Sequence, residues 1–131
     1  MGDYFTHWLN MGKKLPEPPR IFGVNWFRTD EQGKFIWPGF SDNMRILKWI
    51  VDRVHGRVGA SQTPVGWMPK FEDIVWDGLD FGRNEYEVIS DIDSKTWQGE
   101  LDGHKEWFDK LGGKLPKQLE LQRQLLQLNF Q

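Results

Sequence analysis

The chain has 131 residues, which suits one domain that buries roughly two thirds of its unfolded surface. Its 17 basic and 19 acidic residues leave a net charge of -2, which gives no reason to expect nucleic acid or a membrane as a partner. Cysteine is absent, which excludes disulfides, thiolate metal sites and a cysteine nucleophile and fits a cytoplasmic location. The amino terminus has no signal-peptide core, and no stretch is apolar enough to span a membrane.

The first part of the chain predicts a helix, a linker and two short strands. Apolar residues recur at helical spacing between Asp3 and Lys14, and three prolines between Leu15 and Arg20 force the chain into an extended linker. The β-branched and aromatic run from Ile21 to Phe27 predicts a strand. Residues 35 to 37 are predicted to pair back with that strand before a Pro-Gly bend ends the pairing.

The rest of the chain predicts mostly helix. Residues 41 to 43 are three successive N-cap types, and the apolar periodicity that follows predicts a helix that ends before Gly56. Six glycines and prolines make residues 58 to 83 an irregular connection, and helical patterns follow from Asn84, from Trp97 and after Pro116. The sequence therefore predicts an α-rich α+β fold, with a few short strands around an aromatic loop and about four helices.

The aromatic loop between Ile21 and Arg45 admits two interpretations. Each face of a purine gains roughly 1 to 3 kcal/mol by stacking on an aromatic side chain, and Asn43 with the backbone of residues 38 to 43 offers hydrogen-bonding groups for guanine's edge. The same aromatic side chains equally suit a buried core. The sequence pattern alone favours a buried core, but it does not exclude a clamp in which these aromatic side chains stack on a purine. The aromatic residues concerned are Trp26, Phe27, Phe35, Trp37 and Phe40.

Searches for catalytic motifs find none. No Gly-Lys pair fits the phosphate-binding pattern G-x-x-x-x-G-K-[ST], and no G-x-S-x-G elbow occurs. The three histidines are about fifty positions apart with no metal-ligand spacing. The sequence therefore predicts no catalytic residue and no metal ligand.

Four segments together resemble the GTP-dependent phosphoenolpyruvate carboxykinase family. They read IFGVNWFR, GKFIWPGF, N-x-R-x-L-K-W and TPVGWMP, and the resemblance runs from Met1 through the Leu-rich C-terminal helix. The family converts oxaloacetate and GTP to phosphoenolpyruvate, GDP and carbon dioxide in gluconeogenesis, with manganese and magnesium. The resemblance implies that residues 1 to 131 are a C-terminal guanine-binding subdomain of a longer chain, part of a mixed α/β nucleotide-binding domain.

The resemblance also implies roles for individual residues. Phe27, Phe35 and Phe40 would enclose guanine, Trp26 would flank the site and Asn43 would read the base edge. The family's P-loop, metal ligands and substrate-binding residues are expected before Met1, so manganese and magnesium belong to the full-length enzyme and this chain alone should be inactive.

Two hypotheses follow for the function of the chain. In the first, its partners are a guanine nucleotide and the missing N-terminal part of the enzyme, whose absence would leave exposed faces that favour self-association. In the second, the chain is a stand-alone, non-enzymatic module that binds a nucleotide or a protein.

Overall fold

The computed structural model describes all residues from Met1 to Gln131. Five α-helices and one two-stranded antiparallel sheet form, so the predicted α-rich α+β class is confirmed. No helix is both long and apolar enough to cross a membrane. The helices are α1 (Gly2–Lys14), α2 (Asn43–Val54), α3 (Arg83–Ser90), α4 (Ser94–Leu111) and α5 (Lys117–Leu128), and the strands are β1 (Ser61–Thr63) and β2 (Gly66–Met68).

The chain divides into two compact units, of which the first contains α1, α4 and α5. It comprises residues 1–19 and 92–131, and α4 packs on α5 within it. Leu101 of α4 is its most deeply buried side chain, and Phe130 stacks on Trp97 with ring centroids 5.8 Å apart. Three leucines of α5, at positions 121, 125 and 128, remain exposed, so the leucine side chains of this Leu-rich helix are only partly covered.

The second unit, residues 20–91, contains the aromatic loop, α2, the small sheet and α3. Its core is built on aromatic side chains in the connection between α2 and α3. Trp76 lies between Phe71 and Phe81, with ring centroids 5.2 and 5.0 Å away and interplanar angles of 15° and 17°. Trp37 meets the edge of this stack, since its ring lies 5.7 Å from that of Phe81 at 68°. The aromatic loop is therefore fixed to the unit through Trp37.

The predicted strand at Ile21–Phe27 is wrong, because no strand forms over these residues. The returning segment, predicted as residues 35 to 37, pairs at one position only, where Phe35 bridges Thr29. A ladder needs successive paired residues, and Pro38 has no N–H to continue this one. The two strands lie instead in the region predicted as irregular, where Gln62 faces Trp67 across a tight turn. Strands of three residues are too short for their alternation to be recognised.

Candidate functional site

Phe27 and Phe35, two of the predicted guanine clamp residues, lie on opposite arms of a tight hairpin. The Ile36 N–H donates to the Arg28 carbonyl at 3.0 Å, and the Asp30 N–H donates to the Lys34 carbonyl at 2.9 Å. These bonds bring the two phenylalanine rings edge to face, with centroids 5.9 Å apart and an interplanar angle of 63°. The pair is nevertheless open to solvent, since Phe27 is 71% and Phe35 57% exposed.

The turn of this hairpin depends on Asp30 and Gly33. One carboxylate oxygen of Asp30 accepts the backbone N–H groups of Gln32 and Lys34, both at 2.9 Å. Gly33 has φ of 79°, a left-handed conformation that costs other residues energy. The local sequence therefore specifies the turn, and the turn places Phe35 opposite Phe27.

Arg28 holds the base of the hairpin against the C-terminal end of α3. Its Nη1 donates to the carbonyls of Asp91 at 2.7 Å and Ile89 at 3.3 Å, and its Nη2 lies 3.5 Å from the Asp91 carboxylate. A guanidinium suits this role because it is planar, carries several donors and is always charged. Since Arg28 follows Phe27 directly, this contact limits the movement of the Phe27 backbone.

Phe40 stands apart from the hairpin pair, beyond the Pro-Gly bend. Gly39 has φ of 127° and ψ of -165°, a backbone conformation open essentially to glycine alone. A short 3₁₀ turn, Phe40–Asp42, follows and leads into α2. The Phe40 side chain is 92% exposed and contacts no other aromatic ring. The bend therefore directs a large apolar side chain into solvent.

Trp37 joins the remaining two predicted residues, Trp26 and Asn43. It is only 6% exposed, and its ring lies 5.6 Å from that of Trp26. Its indole Nε1 donates a hydrogen bond of 2.7 Å to Oδ1 of Asn43, the first residue of α2. One buried side chain thus fixes both the tryptophan that flanks the hairpin and the polar residue predicted to read a base.

The acidic residue before Asn43 is neutralised by an arginine one turn later. Arg45 donates to the carboxylate of Asp42 at 2.9 Å, and this bond, aided by the Ser41 hydroxyl, holds the pKa of the Asp42 carboxyl below its usual value. Arg45 also donates to the carbonyls of Val75 at 2.6 Å and Asp77 at 3.1 Å. The start of α2 is therefore tied to the loop that carries the aromatic core.

The structure brings some of the predicted site residues together and leaves one separate. Phe27 and Phe35 form one exposed pair, while Trp26 and Asn43 are linked through Trp37. Phe40 makes no ring contact. The family resemblance assigned no role to Trp37, and sequence reasoning overlooked Arg28 and Arg45. Nothing in the local sequence marks these arginines, because their carbonyl partners lie 30 to 63 residues further along the chain.

Comparison with known proteins connects this arrangement to one family. Residues 1–129 match the family described as phosphoenolpyruvate carboxykinase C-terminal P-loop domain. A phosphoenolpyruvate carboxykinase [GTP] of Anaeromyxobacter dehalogenans is 47% identical over 125 residues, which are 95% of this chain and 21% of that protein. The phosphoenolpyruvate carboxykinase [GTP] of Paenarthrobacter aurescens is 45% identical over 121 residues, which are 91% of this chain and 20% of that protein. That from Corynebacterium jeikeium is 43% identical over 119 residues, with shares of 90% and 20%.

The chain belongs to the GTP-type phosphoenolpyruvate carboxykinase family, as a member of its C-terminal domain. It spans about a fifth of the length of these relatives. Although the family description names a P-loop, these 131 residues contain no G-x-x-x-x-G-K-[ST] sequence. The matched part therefore includes the aromatic loop and α2 but not that phosphate-binding motif.

Proposed function

We propose that this chain forms the guanine-binding part of a GTP-dependent phosphoenolpyruvate carboxykinase. The whole enzyme would convert oxaloacetate and GTP to phosphoenolpyruvate, GDP and carbon dioxide, as a step of gluconeogenesis in the cytoplasm. In this proposal Phe27, Phe35 and Phe40 stack against the base, Trp26 flanks the site, and Asn43 reads the base edge.

The observation that carries the proposal is the exposure of three phenylalanines in a unit whose other aromatic side chains, apart from Trp67, are buried or half-buried. Phe81 is 6% exposed in the same unit, whereas Phe40 is 92% exposed. Phe27 and Phe35 form a contacting pair, and large apolar side chains that cluster in water mark a binding surface. A purine base offers them two apolar faces, and the turn, the Gly39 bend and Arg28 hold them in position without a ligand.

The role of these residues is to bind and orient the nucleotide rather than to transfer its phosphoryl group. No group of three or more His, Cys, Asp or Glu side chains lies close enough to hold a metal ion. These side chains alone thus offer manganese and magnesium no ligand set. Phosphoryl transfer depends on positioning and on charge stabilisation, and this chain contributes the positioning of the base.

A second part of the proposal concerns what covers the apolar side chains of α2. Met44, Leu47, Val51 and Val54 follow one another at helical spacing and are all exposed. We infer that they contact the remaining part of a carboxykinase, which accounts for about four fifths of the relatives' length. Without that part, the same face would favour self-association.

The proposal is tested by titrating the chain with GDP, GTP and ATP while its tryptophan fluorescence is followed. Trp26 and Trp37 lie beside the proposed clamp, with rings 5.6 Å apart, so a stacked base should quench them. Quenching by both guanine nucleotides and not by ATP is the expected result. Circular dichroism of the same sample verifies that the helices are formed. A folded chain that responds equally to all three nucleotides, or to none, would contradict the proposal.

A further inference from the structure

In the hydrogen bond between Trp37 and Asn43, only Trp37 can be the donor and only Asn43 the acceptor. An indole nitrogen carries a proton and only donates, whereas a carboxamide has an acceptor oxygen and a donor nitrogen. The atom of Asn43 that faces Trp37 must therefore be the oxygen, and the observed distance from Nε1 to Oδ1 is 2.7 Å. The Trp37 N–H therefore fixes the side-chain amide of Asn43 in the orientation in which Oδ1, and not Nδ2, faces the indole.

The opposite end of the same carboxamide is left without a protein partner. Asn43 is half-buried at the start of α2, and its Nδ2 donates to no group of the chain. Trp37 is held firmly in place, since it is 6% exposed and its ring contacts Trp26, Trp76 and Phe81. Nε1 of Trp49 is the one buried side-chain polar atom without a partner, so Nδ2 of Asn43 is open to solvent. Asn43 therefore presents a donor at the start of α2, and a flip that would present the oxygen is opposed by the indole N–H.

The NH₂ group of Asn43, as a hydrogen-bond donor, distinguishes purines by the group that they carry at position 6. Guanine and hypoxanthine carry a carbonyl oxygen there, which accepts a hydrogen bond, whereas adenine and 2,6-diaminopurine carry an amino group, which donates. Two donors facing each other leave both unsatisfied, and an unsatisfied polar group costs more than a lost bond. The N7 atom accepts in all four bases, so a contact to N7 would not discriminate.

We propose that Trp37 is a specificity-determining positioning residue, whose indole N–H orients the Asn43 carboxamide so that the site selects 6-oxopurine over 6-aminopurine nucleotides. This inference rests on the proposed function, because it requires a purine in the clamp. It assigns the discrimination to a buried residue that does not touch the base. It also makes position 6, rather than the 2-amino group, the part of the base that Asn43 reads.

The test replaces the indole N–H while it keeps an aromatic ring, in the variant Trp37→Phe. Calorimetric titration of the whole chain with GDP, IDP, ADP and the diphosphate of 2,6-diaminopurine riboside gives two matched comparisons at position 6, with and without the 2-amino group. The wild-type chain should prefer the 6-oxo nucleotide in both pairs. In Trp37→Phe the amide turns freely and suits either base, so both preferences should fall on the order of tenfold.

Trp76→Phe is the matched control. Trp76 belongs to the same aromatic stack, and its indole donates to the Phe71 carbonyl at 2.8 Å, so this variant loses an N–H without touching Asn43. It should keep the wild-type preference. A Trp37→Phe chain that binds and still prefers 6-oxopurines as the wild type does would overturn the inference and leave the guanine clamp standing. A wild-type chain that binds none of the four nucleotides would overturn the proposed function and this inference with it.

A second measurement covers the case in which Trp37→Phe does not fold. In the ¹⁵N-labelled wild-type chain, the side-chain NH₂ signal of Asn43 should shift on addition of GDP or IDP and stay in place with ADP. If GDP binds, as judged from the backbone signals of Phe27 and Phe35, while the Asn43 NH₂ signal does not move, the inference is wrong.

Discussion

Truncation of Phe40 should separate binding from stability. The side chain is 92% exposed and makes no ring contact, so Phe40→Ala should change the free energy of unfolding by no more than about 0.5 kcal/mol. If the ring stacks on guanine, its loss should weaken GDP binding by about 1 to 3 kcal/mol, or about 5- to 150-fold in Kd. Gly39 and the 3₁₀ turn should be unaffected, because the substitution removes only a solvent-facing ring.

Phe81→Ala is the matched comparison, because it removes the same side chain from a buried position instead of an exposed one. Phe81 is 6% exposed, and its ring lies 5.0 Å from Trp76 and 5.7 Å from Trp37. Its truncation leaves a cavity in the core and should cost about 3 to 5 kcal/mol of unfolding free energy. Urea unfolding followed by circular dichroism measures the stability of both variants, and calorimetric titration with GDP measures the affinity of Phe40→Ala.

Two results would refute this reasoning. If Phe40→Ala loses as much stability as Phe81→Ala, Phe40 packs against the chain in solution and is not a free binding residue. If Phe40→Ala keeps both its stability and the wild-type affinity for GDP, the ring is exposed but is no part of a guanine clamp.

Two further predictions concern the supports of the site and of the core. Arg28→Lys keeps the charge beside Asp91 but loses the guanidinium that donates to two carbonyls. The Ile36 amide, which is hydrogen-bonded across the hairpin, should therefore exchange with deuterium faster than in the wild type. Unchanged exchange would show that the contacts of Arg28 do not stabilise the hairpin. Burial raises the pKa of Tyr86, whose hydroxyl donates to the Pro69 carbonyl, from 10.0 to about 12, with a smaller effect from nearby carboxylates. Because the folded state favours the protonated phenol, its stabilisation is complete below about pH 10 and is lost as the pH rises through 12. A tyrosinate absorbance titration should contain a component at about pH 12 that Tyr86→Phe lacks, and a titration in which both proteins coincide would contradict this assignment.

Local sequence was sufficient for the features that short-range rules control. The apolar periodicity after residue 43 predicted α2, and the structure places that helix at Asn43–Val54. The helical patterns near the C-terminus correspond to α4 and α5 in the same way. Periodicity is sufficient here because helical hydrogen bonds join residues four apart, so all the interactions that define the element lie within the segment. The family could be recognised for a similar reason, since its motifs are continuous runs of residues.

Strand pairing was decided by tertiary structure. Residues 21 to 27 have the composition of a strand and form none, while residues 61 to 63 and 66 to 68 form the sheet. A strand exists only with a partner, and the availability of a partner is not a property of the segment itself. The exposure of the aromatic residues is a similar case. Trp37 and Phe40 lie three residues apart in one motif, yet one is buried and the other is almost fully in solvent.

The sequence by itself thus determined the helices, the family and the residues that merit study as a clamp. Only the tertiary structure decided which aromatic rings face solvent, which carbonyls Arg28 holds and which end of the Asn43 amide points outward. The physical reason is the range of the interactions concerned. Helix periodicity acts over a few residues. The packing of Trp37 on Phe81 joins positions 44 residues apart, and the carbonyl partners of Arg28 lie 61 and 63 residues away, so only the folded chain brings these groups together.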